Sequence, residues 1–420
     1  MFNKEIQMKF LPVNSVRGKL HIPCSKSEAQ RALIISALNR KPIKILMEEP
    51  SEDVLSMVNA LKSIDFEIKT DKFGVTISSF PPRRKTIHLN VNESGFAFRS
   101  LAFAALHWAD SVILSGEKSL LRRDFSELKE HLEILGIKVD VLEDNKIIVS
   151  GKLSPGKYLV NGNESSQSIS GIFMALSFLE QKSEITIENV VSFPYLSLTI
   201  EMLSQFGCNI NFNGKSYLIQ KEKTFSDPVF QVQGDWSSAV VWFAAAALKG
   251  ELTINGLKVT SQQPDKIILD VLQQSGADLT INEDEITIKQ GKQILGPVQL
   301  DLVNCPDLFP VLAVFSCGIT GESTFYSTDR LKNKESNRLD SVLEMLDVFG
   351  VAYHLNRATL TIYGKGKING GTINTHGDHR LIMAAALASC IAETPIHIEG
   401  ESAIRKSYPS FFEHWNNFTF

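Results

Sequence analysis

The sequence predicts an α/β fold of two similar globular domains, each built from three β-α-β-α-β-β repeats around buried helices. Three observations predict it. A short alternating strand, a polar knot and an apolar helix follow one another six times along the chain. The knots return at intervals of roughly 70 residues, too long for a solenoid and suited to a compact repeated unit. Helices such as 239–248 carry no polar face, so they are expected to be buried on all sides.

Taken in order, the first copy spans 19–38. Alternation over 18–22 reads as a strand, and Pro23 breaks it. Ser25 or Ser27 can cap the apolar helix that continues through 32–38. Lys26 and Arg31 then stand beside the unpaired N–H groups of a helix N-terminus, where an anion such as phosphate is stabilised. An ordinary capped helix with two solvated cations is the plainer alternative. The second copy, 86–106, carries the knot Asn92-Glu93-Ser94-Gly95, and the third, 158–179, carries Asn163-Glu164-Ser165-Ser166-Gln167. The fourth, 229–248, has Gly234-Asp235-Trp236-Ser237-Ser238. The fifth, 298–317, has Asn304-Cys305-Pro306-Asp307, and the sixth, 371–388, has His376-Gly377-Asp378-His379-Arg380.

Each repeat continues with a second strand, as at 111–115, 184–188 and 251–255, and an amphipathic helix such as 125–135. Gly136, Gly207, Gly276 and Gly350 end such helices, where a left-handed cap is expected. A strand pair, for example 137–142 with 146–150, closes the unit; the sixth copy is truncated. If the units pack alike, six helix N-termini face one surface. Their positive ends would add to Lys26, Arg31 and Arg380 in an electropositive cleft.

Bulk composition narrows the function. The chain has 420 residues, 43% hydrophobic and 21% charged, which suits a folded protein of two domains. A net charge of −4 and a pI of about 6.2 argue against nucleic-acid binding but leave room for small anionic substrates. Five scattered cysteines without a CxxC pair read as buried thiols in a reducing, cytoplasmic compartment, with no disulfide framework and no metal site. The first ten residues carry Lys4, Glu5 and Lys9 and lack a long apolar core, which argues against a signal or transit peptide. The apolar runs are too short for a bilayer, so no membrane association is expected. Gly151 to Tyr158 resembles a P-loop but lacks its final Ser or Thr, and a strand follows where a helix is needed.

Several separate motifs fall in register with the repeats: Ser25-Lys26-Ser27 with Arg31; Gly95 with Arg99; Arg123; Ser165-Ser166-Gln167; Ser192 with Tyr195; Pro306-Asp307; Lys334-Glu335 with Arg338; Asp378-His379-Arg380; and Lys406 before Ser407-Tyr408-Pro409. In this set the chain resembles the 5-enolpyruvylshikimate-3-phosphate synthases of the enolpyruvyl transferase family, from about Val16 to Tyr408. The resemblance implies transfer of the enolpyruvyl group of phosphoenolpyruvate to shikimate 3-phosphate, with no metal or organic cofactor, in a monomer. It implies that Lys26, Ser27, Arg31, Ser165, Ser166, Gln167, Ser192, Tyr195, Asp307 and Lys334 hold shikimate 3-phosphate. It implies that Lys26, Gly95, Arg123, Gln167, Arg338, Arg380 and Lys406 hold phosphoenolpyruvate.

The residue types suit that chemistry. Arginine forks bind phosphate and carboxylate in a bidentate way, and lysine adds a compact charge. Serine hydroxyls and the glutamine amide grip a second phosphate without further charge. Asp307 is the candidate base for the ring hydroxyl, and Glu335 or Lys26 the candidate acid for the vinyl carbon. Read singly, Asp307 also fits an N-cap and Glu335 a helix ion pair. Arg99, a turn into its helix, is read as structural. Three positions depart from the family pattern: Glu93 replaces an Asn ahead of Gly95, Ser100 a Pro after Arg99, and Arg330 an Asn before Lys334. Glu93 near an anion site is unfavourable unless paired, with Arg123 as one partner.

Two rivals are weighed. The sister transferase acting on UDP-N-acetylglucosamine has a Cys in the loop matching 116–123, which here has none. A non-catalytic anion-binding paralogue would have lost the acid or the base. The expected domains are 25–234, inserted, and 1–24 with 235–420, with the active site in the cleft and closure bringing Lys26 and Arg123 to Asp307, Arg338 and Arg380.

Overall fold

The computed structural model describes residues 8–142, 146–222, 225–283, 285–291, 295–332 and 334–420. Lys4 and Glu5, used in reading the N-terminus, lie outside the described residues. The chain divides into two compact units, Cys24–Gln233 and Met1–Pro23 with Gly234–Phe420. Each has its own hydrophobic core.

The Cys24–Gln233 unit is organised on three buried helices, Lys26–Asn39, Gly95–Ala104 and Ser166–Leu176. Each begins at a serine whose hydroxyl accepts a backbone N–H of the first turn: Ser25 from Glu28 at 3.4 Å, Ser94 from Ala97 at 3.3 Å and Ser165 from Gln167 at 3.2 Å. Four-stranded sheets cover the helices with one repeated pairing. Arg84–Asn90 runs parallel to Ala109–Ser115, which pairs antiparallel with Ile147–Ser150, with Lys138–Val141 at the far edge.

The second unit repeats the plan around Trp236–Lys249, Phe309–Cys317 and His379–Ala388. Here aspartates replace the capping serines. Asp235 accepts the Ser238 N–H at 2.7 Å, and Asp378 accepts that of Arg380 at 2.9 Å. The fifth knot differs: a 3-10 turn, Pro306–Leu308, leads into the helix with no side-chain cap. The Asp307 carboxylate is therefore not used as a cap. The expected helix-ending glycines Gly136, Gly207, Gly276 and Gly350 all take positive φ, 75°, 81°, 97° and 68°.

In two sheets the leading strand of a repeat pairs outside that repeat. The strand ahead of the first knot, Val16–His21, pairs in parallel with Gly250–Asn255 of the fourth repeat. The strand ahead of the fourth knot, Val229–Gln231, pairs in parallel with Ile43–Leu46 of the first. The leading strands of these two repeats are thus exchanged. Parallel partners are joined by long connections, so a local pattern does not fix which strand they meet. Gly250 marks the exchange: a Cβ there would stand 2.1 Å from the Val16 carbonyl oxygen. The truncated sixth repeat is completed by the chain start, Met8–Phe10, antiparallel to Ile396–Glu399, which lies parallel to Gly371–Asn374.

All five cysteines are buried free thiols. Among the described residues, no helix is long and apolar enough to cross a membrane. Gly151 to Gly156 forms no helix and runs into the strand Lys157–Asn161, so the P-loop likeness has no structural counterpart.

Candidate active site

In the Cys24–Gln233 unit the knots interlock through side chains. Lys26 pairs with Asp53 at 3.1 Å, both largely buried. Gln30 donates to the Asp53 carbonyl at 3.1 Å and to the Ser94 hydroxyl at 2.6 Å, which ties the first helix to the cap of the second. Arg31 ties the first helix to the third and to the segment after Ser192. Its Nε donates to Thr199 Oγ1 at 2.8 Å, and its Nη groups donate to the Ser27 carbonyl at 2.8 Å, the Tyr195 carbonyl at 3.2 Å and Ser170 Oγ at 3.4 Å. The guanidinium stacks on Phe96, 4.4 Å from the ring centre. Burial lowers its pKa to about 10.

Gly95 sits at the centre of a second group. A Cβ at this position would lie 2.9 Å from an Arg123 Nη, 3.2 Å from an Arg99 Nη and 3.8 Å from Gln167 Oε1. Only glycine leaves that space to a ligand approaching the helix N-terminus. Arg99 donates to Gln167 Oε1 at 3.2 Å and to the Asp124 carbonyl at 3.3 Å, and lies over Phe125. Gln167 is thereby oriented with its oxygen engaged. The Arg123 Nε is buried and meets no acceptor among the described residues. Glu93 accepts a hydrogen bond from the Ser119 hydroxyl. Ser100 bonds back to the Phe96 carbonyl at 2.6 Å, inside the helix.

In the other unit the arrangement turns on Arg338, fully buried. Its Nε donates to Asp378 at 2.7 Å, and its two Nη atoms donate to Asp307 at 2.5 Å and Glu335 at 2.6 Å. Ser336 adds a bond to Asp378 at 3.2 Å. Arg380 approaches the other oxygen of Asp307 at 3.5 Å, while its buried Nε meets no acceptor among the described residues. Lys406 donates to the Gly377 carbonyl at 2.9 Å, one residue ahead of Asp378. Arg330 reaches the Val303 carbonyl at 2.9 Å.

Electrostatics separates the carboxyls. Burial alone would raise Asp307, but Arg338 and then Arg380 more than reverse this and hold it well below the usual carboxylate range. Asp265, fully buried and bonded to the Ser237 hydroxyl, is pushed up to about 7, first by burial and then by the charge of Asp307. Burial also lowers Lys334, against the opposing pull of Asp307.

The sequence-predicted residues therefore fall into two groups. Lys26, Ser27, Arg31, Gly95, Arg123, Ser165, Ser166, Gln167, Ser192 and Tyr195 belong to one unit. Asp307, Lys334, Glu335, Arg338, Arg380 and Lys406 belong to the other. Arg31 is 2% exposed, and its guanidinium donates within its own unit. The arginines and lysines of the second group do not form the bare positive surface expected from helix ends, because Asp307, Glu335 and Asp378 stand among them. Sequence reasoning missed Asp53, Glu127, Thr199 and Asp265 as neighbours of the site. Asp378 lay in a quoted motif, where its capping position was the available signal.

Comparison with known proteins follows this geometry. A family model described as EPSP synthase (3-phosphoshikimate 1-carboxyvinyltransferase) matches residues 11–415. The chain is 32% identical over 406 residues to a 3-phosphoshikimate 1-carboxyvinyltransferase of Clostridium perfringens, covering 95% of each chain. It is 30% identical over 405 residues to the protein of the same name in Methanocorpusculum labreanum, again covering 95% of each. Its fold matches the EPSP synthase of Acinetobacter baumannii with a TM-score of 0.81, at 24% identity and 98% coverage of both chains. It also matches the enolpyruvyl transferase NikO of Streptomyces tendae with a TM-score of 0.80, at 15% identity, covering 99% of this chain and 98% of that one.

Proposed function

The chain belongs to the EPSP synthase family, and from that premise we propose how its residues divide the reaction. The enzyme transfers the enolpyruvyl group of phosphoenolpyruvate to the 5-hydroxyl of shikimate 3-phosphate, in the pathway to aromatic amino acids. The hydroxyl oxygen bonds to the enol carbon and loses its proton, while the terminal CH2 gains one. The tetrahedral adduct then breaks its bond to phosphate and gives up a methyl proton, so electrons and protons balance.

In our reading, Ser165, Ser166 and Gln167 grip the phosphate of shikimate 3-phosphate, with Lys26 beside them and Ser27, Ser192 and Tyr195 along the ring. Arg123 and Arg380 take the anionic groups of phosphoenolpyruvate. The observation that carries this is the pair of buried Nε–H groups, on Arg123 and Arg380, with no acceptor among the described residues. Buried donors are rarely left so, and an anion is the partner that satisfies a guanidinium best. Lys334 and Lys406 add charge for the departing phosphate.

Asp307 is the base and Glu335 or Lys26 the acid. At rest Asp307 is a weak base, because Arg338 and Arg380 stabilise its charge. When the carboxylate of phosphoenolpyruvate shares those arginines, the proton affinity of Asp307 rises. The second anion therefore readies the base. We also propose a cytoplasmic monomer that compacts, by small-angle scattering, when both substrates are present.

The direct test is release of inorganic phosphate on mixing the protein with both substrates. Release that requires both supports the reading. Release unaffected by Asp307→Ala removes Asp307 as the base, and no release with either order of addition removes the assignment of substrates.

A further inference from the structure

We propose that Glu127 is a positioning residue for the shikimate 3-phosphate site, its carboxylate fixing the backbone that presents Ser165, Ser166 and Gln167. Glu127 lies in the helix Ser126–Ile134, four residues after Arg123, and is 7% exposed. One of its oxygens, Oε1, accepts the backbone N–H of Glu164 at 3.3 Å and that of Ser165 at 3.4 Å. These residues lead directly into the Ser166–Leu176 helix. Ser165 Oγ in turn accepts the Gln167 N–H, and Gln167 Oε1 is held by Arg99. A continuous set of contacts thus runs from one carboxylate to Ser165 and Gln167, two of the three residues assigned to a phosphate.

Ser165 Oγ already accepts one first-turn N–H of this helix. Glu127 gathers two further N–H groups, that of the cap residue Ser165 and that of Glu164 before it. Burial is unfavourable to the charged form and pushes Glu127 up to about 7; the Ser165 and Glu164 N–H groups oppose this, Glu164 adds to it, and Arg99 opposes it. His131, one turn further along the helix, is engaged through Nε2 with the Asn161 carbonyl at 2.7 Å. Hydrogen bonds to a carboxylate are roughly twice as strong as those to a neutral acid. The grip on the 164–165 backbone therefore tightens as pH rises through about 7.

The inference rests on the assignment of Ser165–Gln167 to the phosphate, and the experiment separates the two. Michaelis constants for both substrates are measured from pH 6 to 8.5 in the wild type, Glu127→Ala, Glu127→Gln and Ser166→Ala. Expected for Glu127→Ala is a rise of about tenfold in KM for shikimate 3-phosphate, with kcat within about twofold, the effect of losing hydrogen bonds to a charged acceptor. Glu127→Gln retains an acceptor oxygen and restores most of the affinity. It also abolishes the additional fall in wild-type KM as pH rises through about 7. The substrate phosphate, with its own ionisation near ~6, is common to all variants and cancels in the ratio. If Ser166→Ala raises KM and Glu127→Ala does not, the inference fails while the site assignment stands. If neither moves KM, both fail. Should Glu127→Ala not fold, the Glu127→Gln pH profile decides, and one superimposable on the wild type overturns the proposal.

Discussion

In the Cys24–Gln233 unit, the cations around the site mostly face hydroxyls, an amide and backbone carbonyls; in the other unit Arg338 and Arg380 face carboxylates. Arg31 and Arg99 donate to neutral acceptors, and Lys26 pairs with Asp53. Arg338 by contrast holds three carboxylates at once, and Arg380 shares one of them. On the proposed assignment, the first cluster receives a doubly charged ligand. The second is internally neutralised, so an incoming anion competes with Asp307 and Glu335 for the same donors. That competition couples binding to chemistry, because the displaced carboxylates are the candidate base and acid.

Removing the hub of the second cluster is the severest way to break the contrast. Arg338→Ala leaves Asp307, Glu335 and Asp378 without their common partner. Uncompensated buried charge of this kind costs about 3–5 kcal/mol. Denaturant unfolding should show that loss, and phosphate release should fall below detection. An Arg338→Ala protein of wild-type stability would show that the carboxylates are held by something else.

Asp307→Asn sharpens the contrast by separating its two sides. Loss of a general base lowers turnover by about 10²–10⁴. The same change frees Arg338 and Arg380 from a competing anion. Calorimetry in the presence of shikimate 3-phosphate should then show phosphoenolpyruvate binding at least as tightly as in the wild type. Weaker binding would mean that Asp307 does not compete for those donors.

Arg123→Lys probes the ready-made side. It keeps the charge and loses the planar fork and the buried Nε–H. KM for phosphoenolpyruvate should rise about tenfold while the melting temperature stays within a degree or two. Arg31→Lys should do the reverse, lowering stability more than substrate affinity, because its donors are already engaged inside the protein. If both variants behaved alike, the distinction between receptor and brace would be lost.

The smallest expected effect is a pH dependence of stability. Asp265 binds its proton more tightly folded than unfolded, so its contribution is full below the ordinary carboxylate range and is lost as pH rises through about 7. Asp307 has the opposite sign: its contribution is present above the ordinary range and lost as pH falls. Asp265→Asn should therefore melt about 2–4 °C higher than the wild type at pH 8 and match it near pH 4.5. Calorimetric scans at the two pH values check this.

The sixfold succession of strand, knot and buried helix is legible in the sequence, because apolar helices and capping residues are local signals. Ser25, Ser94, Ser165, Asp235 and Asp378 all cap where the knots stand. Strand partnership is not legible, since Val16–His21 and its partner are more than two hundred residues apart and nothing in either segment names the other. The same limit applies to buried acids. Glu127 reads as one more polar residue on an amphipathic helix, and Asp265 as the residue after Pro264 in a loop. The neighbours of Glu127, Glu164 and Ser165, come from another repeat, as does Asp307 beside Asp265, while Ser237 stands twenty-eight residues before it. Asp307 itself reads singly as a cap, and only Arg338, thirty-one residues on, reveals what its carboxylate faces.

The exchanged leading strand sets a timetable for synthesis. Val16–His21 leaves the ribosome long before Gly250–Asn255, and Met8–Phe10 longer still before Ile396–Glu399. At ~5–20 residues per second, these strands wait for tens of seconds in all. The stretch Cys24–Gln233 contains the partners for its own sheets and can mature in the meantime. The nascent chain thus completes its middle first, and its two ends meet last.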